Sequence, residues 1–192
     1  ITRLLARLFP ARAVPSNLLP SASILILKPC CLGDVILATP VIAALRHTFP
    51  NATIDFAVGP WARVIIEHNA RVNAIVDCGK VGTGAFGWRD IWSLAKRLRA
   101  RRYDVCLTLD RSPRVGLVAW LAGIPHRVGL DSAGRGFAHT VRVSVPEIRY
   151  EPELYLDVAA AIGAQLPHAA RRAEFVPTEA ERASVTRMLE EA

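Results

Sequence analysis

The chain has 192 residues, 52% of them hydrophobic, with a formal net charge of +7 and a pI near 9.8. That is enough apolar matter for one packed domain plus a tail or linker. The positive charge, carried almost wholly by arginine, points to anionic partners such as phosphorylated lipids, nucleotides or nucleic acid. The longest uncharged runs, near residues 35–45 and 115–125, are too short to cross a bilayer and contain prolines. No secretory hydrophobic segment is present, so a cytoplasmic domain is expected.

Residues 1–23 read as a separate basic tail. Arg3, Arg7 and Arg12 alternate with Leu4, Leu5, Leu8 and Phe9, and Pro10, Pro15 and Pro20 close the segment. A frayed terminus fits this pattern, and so does a short helix lying on an anionic membrane face. From Ile24 onward, short apolar runs alternate with helical patterns, the signature of βαβ units and a parallel sheet. Strands are expected at 24–27, 54–58, 74–77, 105–109 and 127–129, with a last short one at 141–145. Helices are expected at 35–48, 62–68, 90–100, 115–121 and 151–162. Residues 164–177 read as linker. Thr178 with Glu181 then forms a capping box for a polar helix. The expected fold is α/β, a Rossmann-like parallel sheet with helices on both faces over residues 24–164, and residues 165–192 lead on to a further domain.

The chain is organised around Lys28-Pro29-Cys30-Cys31-Leu32-Gly33-Asp34, directly after the first strand. In an open α/β sheet, ligands bind at the carboxyl ends of strands, where helix N-termini offer free N–H groups. Lys28 and Asp34 belong to that edge, and Gly33 is expected to let the backbone turn where a side chain would obstruct. Asp34 has two readings. It is an N-cap whose carboxylate accepts first-turn N–H groups, or a general base at the mouth of the sheet. Pro40 breaks a local rule. A helix starting near Asp34 must accommodate its ring against the carbonyl of Ile36, and the alternative is a helix starting at Pro40 with Thr39 as its cap.

Cys30, Cys31, Cys78 and Cys106 show no C-x-x-C spacing and no histidine at metal-ligand spacing, so no metal site is expected. Adjacent cysteines do not bridge easily, and all four are expected to be reduced. Gly82-Thr83-Gly84-Ala85-Phe86-Gly87 is a formal G-x-G-x-x-G with Asp110 downstream. As a dinucleotide site (NAD(P) or flavin), it opens too far past its strand and sits on the third unit rather than the first. A flexible loop is the competing reading. Arg111 and Arg114 leave the fourth strand on the same edge as Asp34, where they can meet acidic groups of a ligand. Asp110 can instead pair with one of them. The arginines are scattered over several helices with no aromatic stacking motif, so nucleic acid is not an expected partner.

The run ILILKPCCLGDVILATPVIAALRHTFPNATIDFAV resembles the N-terminal signature of glycosyltransferase family 9, the ADP-heptose:lipopolysaccharide heptosyltransferases. That family carries Lys-x-Ser-Ser-x-Gly-Asp after its first strand. It then has a helix containing proline and an aromatic-Pro pair before the second strand. Lys28, Gly33, Asp34, Pro40, Leu45, Arg46 and Pro50 fit this pattern. RRYDVCLTLDRSPRVGLVAWLAGIPHRVGLD and EPELYLDVAAAIG resemble later segments of the same domain, and the similarity covers about residues 22–165.

The resemblance implies the N-terminal half of an inverting bacterial sugar transferase of GT-B fold, acting in lipopolysaccharide biosynthesis. It implies Asp34 as general base and Lys28 as a cation meeting acceptor phosphate or carboxylate. It also implies a phosphorylated glycolipid acceptor and a nucleotide-sugar donor such as ADP-heptose, with no cofactor. The donor would be held mainly by a C-terminal domain beyond this chain, without which the fragment is expected to be inactive. Peripheral contact with the inner membrane follows from the acceptor. Cys30 and Cys31 replace the family's serine pair, and with it any hydroxyl hydrogen bonds made there.

Overall fold

The computed structural model describes residues 9–15, 19–83, 85–145 and 149–191. Six strands form one sheet: β1 (Ser23–Leu27), β2 (Thr53–Val58), β3 (Ala74–Asp77), β4 (Val105–Thr108), β5 (His126–Asp131) and β6 (Val141–Ser144). All neighbours pair in parallel, in the order β3-β2-β1-β4-β5-β6. This is the Rossmann-like order, and it places the reversal of strand sequence between β1 and β4.

Both faces of the sheet are covered, so its central strands are continuous apolar runs. Ile24 and Ile26 point to one layer, which contains α1 (Leu32–Thr48) and α4 (Glu151–Ala160). Leu25 and Leu27 point to the other, which contains α2 (Trp88–Ala100) and α3 (Pro113–Leu121). This period-2 division of adjacent leucines and isoleucines builds two cores from one strand.

Helix α1 runs straight through Pro40, so the alternative start at Pro40 does not occur. The proline leaves the Ile36 carbonyl without its helical N–H, and the Thr39 hydroxyl donates to that carbonyl at 2.7 Å. The same hydroxyl accepts the Glu174 N–H at 2.8 Å. One side chain thus repairs the helix and ties down the chain that follows the sheet.

Residues 164–177, expected as linker, fold back onto the domain. Ala164 and Ala170 are buried, and a 3₁₀ turn at His168–Arg171 packs there. Arg171 is ion-paired with Glu153, and Arg71 with Glu174. The segment expected as a helix over 62–68 is a 3₁₀ turn, Pro60–Ile65. Thr178 and Glu181 form the expected capping box of α5 (Glu179–Glu190), which has no buried residues. Of the basic tail, residues 1–8 and 16–18 lie outside the described residues. Phe9 stacks edge-on with Trp120 at 5.3 Å, and the Arg12 N–H donates to the Thr140 carbonyl, so this part of the tail is held against the domain.

Candidate active site at the strand reversal

β1 and β4 diverge in connection at their carboxyl ends, and their following turns face each other there. Lys28 ends β1 and Asp110 follows β4. The Lys28 side chain is only 6% exposed, its Nζ donating to Asp34 Oδ2 at 2.9 Å and lying 3.7 Å from Asp110 Oδ2. The Tyr155 ring of α4 lies beneath, its centroid 5.8 Å from Nζ. A buried ammonium is tolerated only when paired, and here two carboxylates and an aromatic face supply the pairing. Lys28 therefore holds the site together rather than offering a free charge to solvent.

Asp34 sits in the first turn of α1, three residues past the N-cap, Cys31. Its side chain is 41% exposed. Among the described residues, Oδ2 takes the Lys28 ammonium and neither oxygen accepts a backbone N–H. The capping reading therefore does not describe it. A carboxylate with one oxygen fixed and the other open, at the positive end of a helix dipole, is placed to accept a proton from a bound group.

The turn between Lys28 and Asp34 takes its shape from Cys31, which has φ 72°, and not from Gly33. Gly33 has no left-handed backbone, and a Cβ there would meet nothing within 4 Å. Its contribution is open space above the helix start. Cys30 and Cys31 are joined to each other by a disulfide, correcting the expectation that all four cysteines are reduced; the turn at Cys31 brings the two side chains onto one side. Cys78 and Cys106 are free and buried. Burial pushes the Cys106 thiol up to about 12, so it is not a nucleophile. Among the described residues no cluster of His, Cys, Asp or Glu could hold a metal ion.

A cavity of about 310 Å³ opens beside this turn, walled by Cys30, Val81, Phe86, Asp110, Ser112 and Arg114. Asp110 Oδ1 accepts the Ser112 N–H at 2.7 Å, closing the turn into α3. Arg114 lines the cavity, its guanidinium 5.9 Å from the Phe86 ring centroid. Arg111 is drawn aside by an ion pair with Glu151. Asp110 thus pairs with Lys28 and not with Arg111 or Arg114.

Tyr155 was not singled out by the sequence. It is 1% exposed, and among the described residues its hydroxyl has no hydrogen-bond partner of good geometry. Burial first, then the charges of Asp34, Glu151 and Asp110, push its pKa far up, so it is a neutral phenol. Its one sequence signal is a tyrosine inside the otherwise aliphatic inner face of α4.

Gly82, the first glycine of the G-x-G-x-x-G, is explained by packing. A Cβ there would lie 2.2 Å from the Pro29 carbonyl oxygen and 3.3 Å from the Trp61 ring. Gly79–Thr83 is a 3₁₀ turn with Val81 and Gly82 buried, so the first two residues of the expected loop belong to it, while Ala85–Gly87 have no regular structure. Gly87 is the N-cap of α2, and Gly84 lies outside the described residues. The turn supports the Lys28–Asp34 segment from behind.

These features define a Rossmann-like α/β domain with a carboxylate–lysine pair at its strand reversal. Residues 91–184 match the family model of glycosyltransferase family 9 (heptosyltransferase). The chain is 32% identical over 121 residues to lipopolysaccharide heptosyltransferase 2 of Escherichia coli (strain K12), covering 62% of this chain and 34% of the relative. It is 34% identical over 87 residues to lipopolysaccharide heptosyltransferase 3 of the same organism, covering 45% of this chain and 25% of the relative. The fold matches a glycosyltransferase family 9 structure from Veillonella parvula DSM 2008 with a TM-score of 0.72 at 19% identity, over 88% of this chain and 49% of that one. It matches E. coli ADP-heptose lps heptosyltransferase II with a TM-score of 0.69 at 24% identity, over 87% and 50%. Over residues 91–184 the chain is similar to glycosyltransferase family 9, and its curated relatives are heptosyltransferases. It spans about a third of the length of the first of these relatives and about half of the two solved chains.

Proposed function

We propose that this chain is the acceptor-side part of an inverting glycosyltransferase that moves a sugar from a nucleotide-sugar donor to a phosphorylated cell-envelope glycolipid. The observation that carries this is the part-exposed Asp34 carboxylate, fixed through one oxygen by buried Lys28, whose ammonium lies 3.7 Å from Asp110 at the wall of the cavity. In the reaction, the acceptor hydroxyl oxygen bonds to the anomeric carbon as its bond to the donor phosphate breaks. The nucleoside diphosphate leaves with the electron pair, and Asp34 takes the hydroxyl proton. Position supplies most of the effect, because a carboxylate held in place replaces a bimolecular encounter.

Lys28 orients Asp34. Arg114, at the cavity wall, is the cation suited to acceptor phosphate. Arg111 supports the rim through Glu151, and Gly33 keeps the approach to Asp34 open. ADP-heptose as donor is supported by the relatives' names alone. Its contacts are assigned to the portion of the solved relatives that this chain does not span. No helix among the described residues is long and apolar enough to cross a membrane, so the reading takes the enzyme to its lipid acceptor as a peripheral protein.

In the complete enzyme, Asp34→Asn keeps size and fold and removes the base. The expected outcome is a turnover loss of at least about a hundredfold with acceptor affinity largely retained. Turnover at the wild-type rate would remove Asp34 from the mechanism.

A further inference from the structure

Helix α2 buries Ile91, Leu94, Ala95 and Leu98 against the sheet. Trp88, Trp92, Lys96 and Arg99 follow at spacings of four, four and three residues, which aligns them along another side of the helix. Trp88 and Trp92 are 61% and 56% exposed. Two such rings turned outward on one helix are more than the scattered single apolar residues of an ordinary surface. Beside them runs a groove of about 720 Å³ lined by Trp92, Ser93 and Leu121, with Arg89, Lys96 and Arg99 contributing their long stems and charges. The helix has four cations and one acid, and that acid, Asp90, is engaged with the Gly87 N–H at 2.9 Å.

Outward indole rings among lysine and arginine match one environment well. At a phospholipid headgroup layer, tryptophan rings settle at the polar boundary and cations meet anionic lipid. A second copy of this surface would set its cations against themselves. The position fits as well: α2 begins two residues after Phe86, which walls the candidate site. We propose that the outward side of α2 is an interfacial surface that seats the protein on an anionic bilayer. A glycolipid acceptor could then keep its chains in the lipid while its phosphorylated sugar enters beside Phe86. The purpose of this surface rests on the transferase reading; its lipid binding does not.

The test is flotation of the purified chain with vesicles of phosphatidylglycerol and phosphatidylcholine, against phosphatidylcholine alone. Wild type is expected to float with the anionic vesicles and to be released by high salt. Lys96→Glu should weaken binding about thirtyfold, the effect of reversing one charge near an anionic surface. Trp92→Ala should weaken it severalfold, and both variants should melt like wild type. Asp34→Asn should float normally, so failure of the surface and failure of the catalytic reading give different results. Absence of wild-type flotation, or wild-type binding by both variants, overturns the proposal. So does binding lost only on deletion of residues 1–8, which would assign it to the terminal arm. Self-association in sedimentation equilibrium that Trp92→Ala abolishes, with flotation unchanged, would make the surface a contact between copies and also overturn it.

Discussion

Gly82 and Gly33 flank the same turn, and the structure predicts opposite outcomes for giving each a methyl group. At Gly82 the added Cβ would lie 2.2 Å from the Pro29 carbonyl oxygen and 3.0 Å from its carbon. Both are backbone atoms, and the oxygen already accepts the Gly59 N–H at 2.9 Å, so the turn has to move by about an ångström. Overpacking of this kind costs about 1–3 kcal/mol. For a domain of this size, about 2 kcal/mol lowers the melting temperature by about 4–8 °C. The displaced segment is the one that carries Lys28 and Asp34. In the complete enzyme, Gly82→Ala should therefore reduce turnover as well, by up to about a hundredfold for a 1 Å misplacement. Gly33→Ala meets no atom within 4 Å and lies inside a helix. It should leave the fold unharmed or stabilise it by about 0.5–1 kcal/mol, while crowding the approach to Asp34 and raising the acceptor KM. Thermal melts followed by circular dichroism, paired with acceptor kinetics, measure both. Wild-type melting of Gly82→Ala, or equal destabilisation by the two variants, would refute the account of this turn.

Thr39→Val removes a hydroxyl that donates to Ile36 and accepts from Glu174, and should cost about 1–2 kcal/mol in urea unfolding. In a Pro40→Ala background the Ile36 carbonyl regains a helical N–H, so the same substitution should cost about 1 kcal/mol less; a strictly additive double-mutant cycle would contradict the repair. Buried His139 has its pKa lowered from 6.5 to about 4, by burial first and then by Arg127, with Arg142 in the same direction and Asp131 opposing. Both folded and unfolded states hold it neutral above pH 6.5, and its stabilising effect is complete there. Below pH 6.5 the unfolded chain takes up the proton first, so stability should fall between pH 6.5 and 4, by about 3 kcal/mol from this group. Burial shifts His126 in the same direction. Urea midpoints across that range should slope for wild type and flatten for His139→Leu, and parallel slopes would assign the acid sensitivity elsewhere.

The sheet was legible because its strands are buried on both faces and therefore stand out as short apolar runs such as ILIL, with turn residues between them. Residues 74–77 were bounded correctly for that reason. The start of α1 was obscured by Pro40, since the repairing Thr39 hydroxyl acts in three dimensions and has no signature distinct from a cap. Residues 164–177 read as linker because their anchoring depends on Thr39 and Glu153, far away in sequence. Asp34 could be placed at the rim from the strand–turn–helix pattern. The burial of Lys28 could not, because it depends on Asp110, 82 positions later, meeting it across the β1–β4 reversal. Tyr155 was invisible for the same reason: an aromatic at helical spacing reads as core until the opposite wall is known.

Under the proposed transferase reading, the burial of Lys28 also explains why the site divides its charges as it does. One ammonium between Asp34 and Asp110 leaves an excess of negative charge at the turn, which suits a base and repels an anionic acceptor brought too close. The cation available to an acceptor phosphate must then sit apart from the base. Arg114 meets that requirement, because it stands at the cavity wall against Phe86 and not in the carboxylate cluster. Were Lys28 the acceptor's ligand, every binding event would have to draw the ammonium away from Asp34 and leave two carboxylates facing each other, at a cost of several kcal/mol. On the proposed transferase reading, orientation of the base and recognition of the anion would therefore fall to separate side chains.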